Sequence, residues 1–239
     1  MIYHLDITAS TNDDARDEKY REGDVVWADF QTAGRGQRGH VWHSQKGENL
    51  TFSVVLEPSF VAIAEQFSVS EVVALSLIDM LAEYGIGAKI KWTNDIYVGD
   101  KKLVGILIEH SLAATTLRRT IVGVGINVNQ REFDSSIPNP VSMAQLLDKQ
   151  LDAEEVLKCF LTHLQRNYEH LRQGEKEALH ERYNTLLYRK EEYHTYALPS
   201  GERFSAKIVG TAPSGALRLE NEQGETKDYL FKEVEFVIF

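Results

Sequence analysis

The run Gly34-Arg35-Gly36-Gln37-Arg38-Gly39-His40-Val41-Trp42 constrains this chain more than any other segment. It follows Val25-Val26-Trp27-Ala28-Asp29-Phe30, a pattern that reads as a buried strand, and a strand rather than a helix comes after it. Closely spaced glycines let a backbone turn tightly and point its N–H groups at a ligand. The arginines between them add planar, permanently charged donors suited to carboxylate or phosphate. The run contains Gly-x-Gly-x-x-Gly but opens no helix, which excludes the dinucleotide fingerprint of a doubly wound fold. The Gly-Lys-Ser/Thr ending of a P-loop is absent as well. What remains is a loop for a small anion on a fold of another kind.

At 239 residues, 43% of them hydrophobic, the chain has enough apolar material for one large domain or a medium domain with a small appendage. Its 26 Lys and Arg against 36 Asp and Glu give a formal net charge of −10. That balance argues against nucleic acid, whose non-specific binding depends on phosphate neutralisation. Cys159 is the only cysteine and so has no internal disulfide partner; a buried thiol is expected. Residues 1–6 carry no basic region followed by an apolar stretch, and no run reaches the ~18 apolar residues that span a bilayer. The expectation is a cytoplasmic protein with no membrane association.

Residues 2–7 alternate as a strand. Ser10-Thr11-Asn12-Asp13-Asp14 then predicts a helix start, with a hydroxyl cap and first-turn carboxylates at the positive dipole end, and Gly23 closing the helix. Residues 50–56 read as a strand stopped by Pro58. Residues 70–84 predict an amphipathic helix ended by Gly85 and Gly87. Strands follow at 88–92, 96–98 and 103–108, the last two joined by a hairpin turn at Gly99-Asp100-Lys101-Lys102. Residues 120–128 form another strand, whose interior Gly123 and Gly125 predict close approach of something to that sheet face. Residues 141–188 are helical in pattern. After the joint Arg189-Lys190-Glu191-Glu192, short strands at 193–198, 204–210, 216–220, 226–231 and 234–239 describe a small barrel.

Taken singly, several residues have ordinary structural uses. Trp92 reads as core, Asn94 and Asp95 as turn formers, Lys101 and Lys102 as solvated hairpin residues, and Asn127 as a satisfied buried amide. Their order and spacing carry more. The motifs are Ser10-Thr11-Asn12; Gln31-Thr32-Ala33-Gly34-Arg35-Gly36-Gln37-Arg38-Gly39 with Trp42; Lys91-Trp92-Thr93-Asn94-Asp95; Lys102-Leu103-Val104-Gly105-Ile106-Leu107; and Gly123-Val124-Gly125-Ile126-Asn127-Val128. Together they resemble the biotin protein ligases, from about residue 2 to the C-terminus.

That resemblance implies an α+β fold: a catalytic core like that of class II aminoacyl-tRNA synthetases and the biotin/lipoate ligases (mixed sheet with helices, residues 1–188), followed by an SH3-like barrel at 189–239. It implies activation of biotin by ATP to biotinyl-5′-AMP, with Mg2+ accompanying the nucleotide. Biotin then passes to a lysine of a biotin carboxyl carrier domain. By resemblance the catalytic set is Lys102, Arg35, Arg38 and Asp95. The biotin set is Ser10, Thr11, Asn12, Gln31, Arg35, Gly36, Gln37, Lys102 and Gly105. The ATP set is Arg35, Trp42, Lys91, Asn94 and Asn127. Metal ligands are left unassigned. Gln37 and His40 stand where the family often has basic residues, and Thr93 where it usually has proline; Arg38 is the candidate to compensate. The first motif begins at Ser10, so a ligase with no DNA-binding repressor domain is expected. Whether an exposed strand edge pairs two copies into a homodimer is left open. Lipoate ligases share the core chemistry, but the Gly-Arg-Gly loop with Trp42 and the terminal barrel favour biotin.

Overall fold

A computed structural model describes residues 1–37 and 41–238. Leu50–Leu56, seven residues buried without a break, forms β3 near the centre of the principal sheet. Such a run is what a strand covered on both faces requires. The sheet also contains β1 (Ile2–Leu5), β2 (Val25–Ala28), β4 (Lys89–Lys91), β5 (Asp95–Val98), β6 (Lys101–Ala113) and β7 (Thr116–Ile126), in the order β1-β2-β3-β7-β6-β5-β4. β1 and β2 run parallel and the remaining neighbours antiparallel, so the sheet is mixed, as expected. The long β6–β7 ladder sets Gly105 opposite Gly125 and Leu107 opposite Gly123.

Two local expectations are corrected. The helix beginning at Thr11 is a single turn, α1 (Thr11–Asp14), and does not reach Gly23. A guanidinium nitrogen of Arg119 donates to the carbonyls of Ala15, Asp17 and Tyr20 at 3.0–3.1 Å, so these groups are bound from outside a helix. The β5–β6 turn is Gly99-Asp100, with Gly99 at φ +55°, while Lys101 and Lys102 already belong to β6. Lys102 therefore sits on a strand, where its backbone is fixed: its N–H donates to Asn139 O at 2.8 Å and its carbonyl accepts from Val141 N at 3.0 Å.

The helical region comprises α2 (Phe67–Glu83), α3 (Met143–Leu147), α4 (Ala153–Arg172) and α5 (Lys176–Thr185). Every residue of α2 from Glu71 to Leu81 is buried, so the helix lacks the exposed polar face that an amphipathic pattern implies. It is enclosed between the sheet and the helices α4 and α5. Its polar residues are satisfied internally: Asp79 accepts from Arg166 at 2.9 Å, from Asn167 at 3.0 Å and from Arg182. Cys159 on α4 is half-buried rather than buried, and its thiol donates to Glu83 at 3.2 Å. Burial and that carboxylate push the thiol up to about 12.

A second, antiparallel sheet follows: β8 (Tyr193–Ala197), β9 (Arg203–Thr211), β10 (Leu217–Asn221), β11 (Thr226–Tyr229) and β12 (Glu235–Phe236), ordered β11-β10-β9-β8-β12. It is the architecture expected of the SH3-like unit. The apolar core is continuous from the principal sheet into this one. Trp92, buried as expected, donates its indole N–H to Gly215 O at 2.8 Å across the junction.

Glu71 of α2 meets His180 of α5 at 2.6 Å, and His180 reaches Thr211 O of β9 at 3.1 Å. Burial raises the Glu71 carboxyl from 4.5 to about 6, against the lowering effect of His180. Folded Glu71 thus holds its proton over a range where the unfolded carboxyl has lost it. The stability carried by this group falls as pH rises between 4.5 and about 6. In urea titrations, the stability of wild type relative to Glu71→Gln should decline by about 2 kcal/mol across that window. A difference that stays constant with pH contradicts this assignment.

Candidate active site

The site is built on missing side chains. A Cβ on Gly125 would lie 2.3 Å from the Trp42 ring, one on Gly105 2.8 Å from the same ring, and one on Gly123 2.2 Å from Asn12 Oδ1. Three glycines on adjacent strands therefore let an indole and an amide lie directly on the sheet. Trp42 is carried there by its own backbone, whose N–H donates to Gly34 O at 3.0 Å, with Arg35 bridged to Val41 beside it. The close approach expected at Gly123 and Gly125 is made by Asn12 and Trp42.

Above this floor opens a cavity of about 870 Å3. Ser10, Thr11, Asn12, Gln31, Arg35, Gly36, Gln37, Trp42, Lys91, Asn94, Asp95, Lys102 and Gly105 all line it. Gln31 Oε1 accepts from Thr11 N at 2.8 Å and from Thr11 Oγ1 at 3.2 Å. Ser53, not singled out in the sequence, lies beneath with its hydroxyl 2.8 Å from Thr11 Oγ1 and 2.6 Å from Asn12 Oδ1. Gln37 Oε1 and Trp42 Nε1 are buried without a hydrogen-bond partner among the described residues. Both residues line the cavity, and buried polar atoms of that kind are free for a polar ligand.

Cations and carboxylates alternate in the wall. Lys102 Nζ lies 2.7 Å from Asp95 Oδ1 and 5.7 Å from the Trp42 ring centroid. Lys91 Nζ is 3.9 Å from Asp95 Oδ2 and stands over the rings of Phe236 and Tyr97 at 5.1 and 5.3 Å. Burial lowers the Lys91 ammonium below the ordinary lysine range, and Lys102 and Arg189 push the same way against the opposing pull of Asp95. Asn94 spends its amide on the fold, donating to Ile106 O at 2.7 Å. Arg35 reaches Asp13 at 2.7 Å and Glu109 at 3.2 Å.

One expected residue stands off the cavity wall and another lies outside the described residues. Asn127 does not line the cavity; it is buried, and its amide donates to Val141 O at 3.0 Å and Lys102 O at 3.4 Å. It braces the strand that carries Lys102. Arg38 lies outside the described residues, as do Gly39 and His40. Conversely, β12 of the second sheet supplies Glu235 and Phe236 to the cavity, and the turn before it supplies Phe231 and Lys232, which no sequence pattern announced. Glu109 was missed as well, although it sits four residues after Gly105 on the same strand face.

These residues sit in a recognisable lineage. Residues 2–127 match the biotin/lipoate A/B protein ligase family. Over 96% of this chain and 72% of the relative, the sequence is 31% identical to the bifunctional ligase/repressor BirA of Bacillus subtilis. It is 34% identical to the biotin–[acetyl-CoA-carboxylase] ligase of Paracoccus denitrificans over 55% of this chain and 57% of that one. Among solved structures, the biotin protein ligase of Aquifex aeolicus in complex with biotin and ATP superposes with a TM-score of 0.84 at 28% identity, covering 99% of both chains. A glycine-floored cavity walled by the five sequence motifs, in a chain with these relatives, places the protein in the biotin/lipoate A/B protein ligase family.

Proposed function

We propose that this chain is an ATP-dependent biotin–protein ligase that forms biotinyl-5′-AMP and transfers biotin to a lysine of a biotin carboxyl carrier protein. The observation that carries this is the arrangement of one cavity: a neutral hydrogen-bonding set (Ser10, Thr11, Asn12, Gln31) and a cationic set (Lys102, Lys91, Arg35) share a single floor of glycines. The first suits the uncharged ureido head of biotin. The second suits a carboxylate and a phosphate that must be brought together.

In the first step a biotin carboxylate oxygen attacks the α-phosphorus of ATP. An acyl–phosphate bond forms, the bond to the bridging β-oxygen breaks, and pyrophosphate departs. Two anions must meet, so fixed positive charge is the main requirement. Lys102 supplies it from a strand whose backbone is pinned on both sides, and Asp95 aims the ammonium. Trp42 offers a flat face for the adenine, with Asn94 and Lys91 beside it. Arg35, Gly36 and Gln37 bound the same space and hold the mixed anhydride away from water. In the second step the carrier lysine attacks the acyl carbon and AMP leaves.

Magnesium travels with ATP in this proposal. Among the described residues the only group of three side chains that could hold an ion is Glu83, Cys159 and His163, on α2 and α4, where Glu83 already accepts from both partners. The ion is held chiefly through the nucleotide phosphates and water in this proposal. The acidic net charge supports a role without nucleic acid, and no helix among the described residues is long and apolar enough to cross a membrane; a cytoplasmic setting is part of the same proposal. The catalytic unit is taken as residues 1–188 and the SH3-like unit as 189–239.

Pyrophosphate release with ATP and either biotin or lipoate tests the substrate: release with biotin alone is expected, and release with lipoate alone contradicts the proposal. Lys102→Ala should slow single-turnover adenylation roughly a hundredfold, the ~3 kcal/mol typical of one lost electrostatic donor. An unchanged rate removes Lys102 from the chemistry. Arg35→Ala should let the adenylate escape faster in rapid filtration; retention equal to wild type contradicts its holding role.

A further inference from the structure

Glu109 gathers three partners at the edge of the cavity. Asn12 Nδ2 donates to Oε2 at 2.9 Å, Arg16 to Oε1 at 2.6 Å, and Arg35 reaches both oxygens at 3.2 and 3.3 Å. Arg35 also donates to Asp13 Oδ1 at 2.7 Å, and Arg16 stands 3.6 Å from that same carboxylate. The cluster thus balances two guanidinium groups against two carboxylates. Arg35 is 38% exposed, so it holds these contacts at a cavity rim open to solvent. Burial raises the Glu109 carboxyl, but the Asn12 hydrogen bond and the charges of Arg35 and Arg16 outweigh it, leaving the group below the ordinary range.

We propose that Glu109, assisted by Asp13, is a positioning residue that holds Arg35 at the cavity rim until the phosphates of ATP displace it. This rests on the ligase function proposed above. The cluster suits an exchange because Arg16 touches both carboxylates and remains when Arg35 leaves, so neither carboxylate is left without a cation. Asn12 stays hydrogen-bonded to Glu109 throughout, which keeps the neutral end of the cavity in place while the charged end rearranges. A phosphate bearing more than one negative charge outcompetes an exposed carboxylate for a guanidinium; the uncharged head of biotin does not.

Glu109→Gln separates the two roles, since the amide oxygen can still accept from Asn12 but no longer attracts Arg35 by charge. Titration calorimetry should show ATP binding about threefold more tightly to this variant, the order expected when one solvent-exposed ion pair no longer competes. The KM for ATP should fall in step, with kcat within twofold and the biotin affinity unchanged. A merely structural role for Glu109 would weaken binding instead. Asp13→Asn, at a half-exposed site that does not threaten folding, should shift ATP affinity in the same direction. Unchanged or weaker ATP binding in both variants, or tightening towards biotin alone, overturns the proposal. The calorimetric ratio is independent of turnover: absence of pyrophosphate release by wild type would defeat the ligase function and leave the exchange to be decided by binding alone.

Discussion

The constraint on which the rest depends is steric. Gly105, Gly123 and Gly125 leave the β6–β7 ladder bare where Trp42 and Asn12 rest, and any Cβ there would intrude to within 2.2–2.8 Å of them. Glycine weakens a strand interior by roughly 0.5–1 kcal/mol relative to alanine. The long ladder to β3 on one side and β5 on the other absorbs that weakness. In exchange the sheet acquires a floor flat enough to hold an indole, and the loop bearing Arg35 is anchored to the same place through the Gly34–Trp42 hydrogen bond. Packing and site are one feature at this point of the fold.

Charge is the second layer. Three cations facing the cavity are held by carboxylates: Lys102 and Lys91 by Asp95, Arg35 by Asp13 and Glu109. A half-buried cluster of like charges would otherwise cost stability, and pairing each cation with a carboxylate offsets part of that cost. The pairs also orient their members. Lys102 is directed by Asp95 across a hairpin whose backbone is independently fixed by Asn139 and Val141, and Asn127 braces the same strand from below.

Much of this was legible in the sequence because the relevant signals are local. Glycines in Thr116–Ile126 announced close approach, and apolar runs bounded by turn residues located the strands of both sheets, although β6 runs on to Ala113. The errors lie where distant residues override local preference. Asp13 and Asp14 favour a helix, yet Arg119, about a hundred residues away, binds the carbonyls of Ala15, Asp17 and Tyr20 and stops it. The pattern of residues 70–84 suggested one apolar face, but α4 and α5 cover the other, and its buried Asp79 is paired with arginines on both. Asn127 shows the limit for site residues: a motif position identifies an amide near the site, but its bracing of the Lys102 strand through Val141 depends on tertiary placement. Glu109 and the contributions of Phe231 and Phe236 depend on tertiary placement alone.

The central claim is that paired cations above a glycine floor let two anionic reactants join and then retain the product. Native mass spectrometry of the full chain after incubation with biotin, ATP and magnesium tests it most directly. The account predicts a stoichiometric complex with the mass of biotinyl-5′-AMP, lost when Gly125 is replaced by valine so that Trp42 cannot seat. Unliganded protein with no pyrophosphate formed, or undiminished adenylate retention in the Gly125→Val chain, would contradict it.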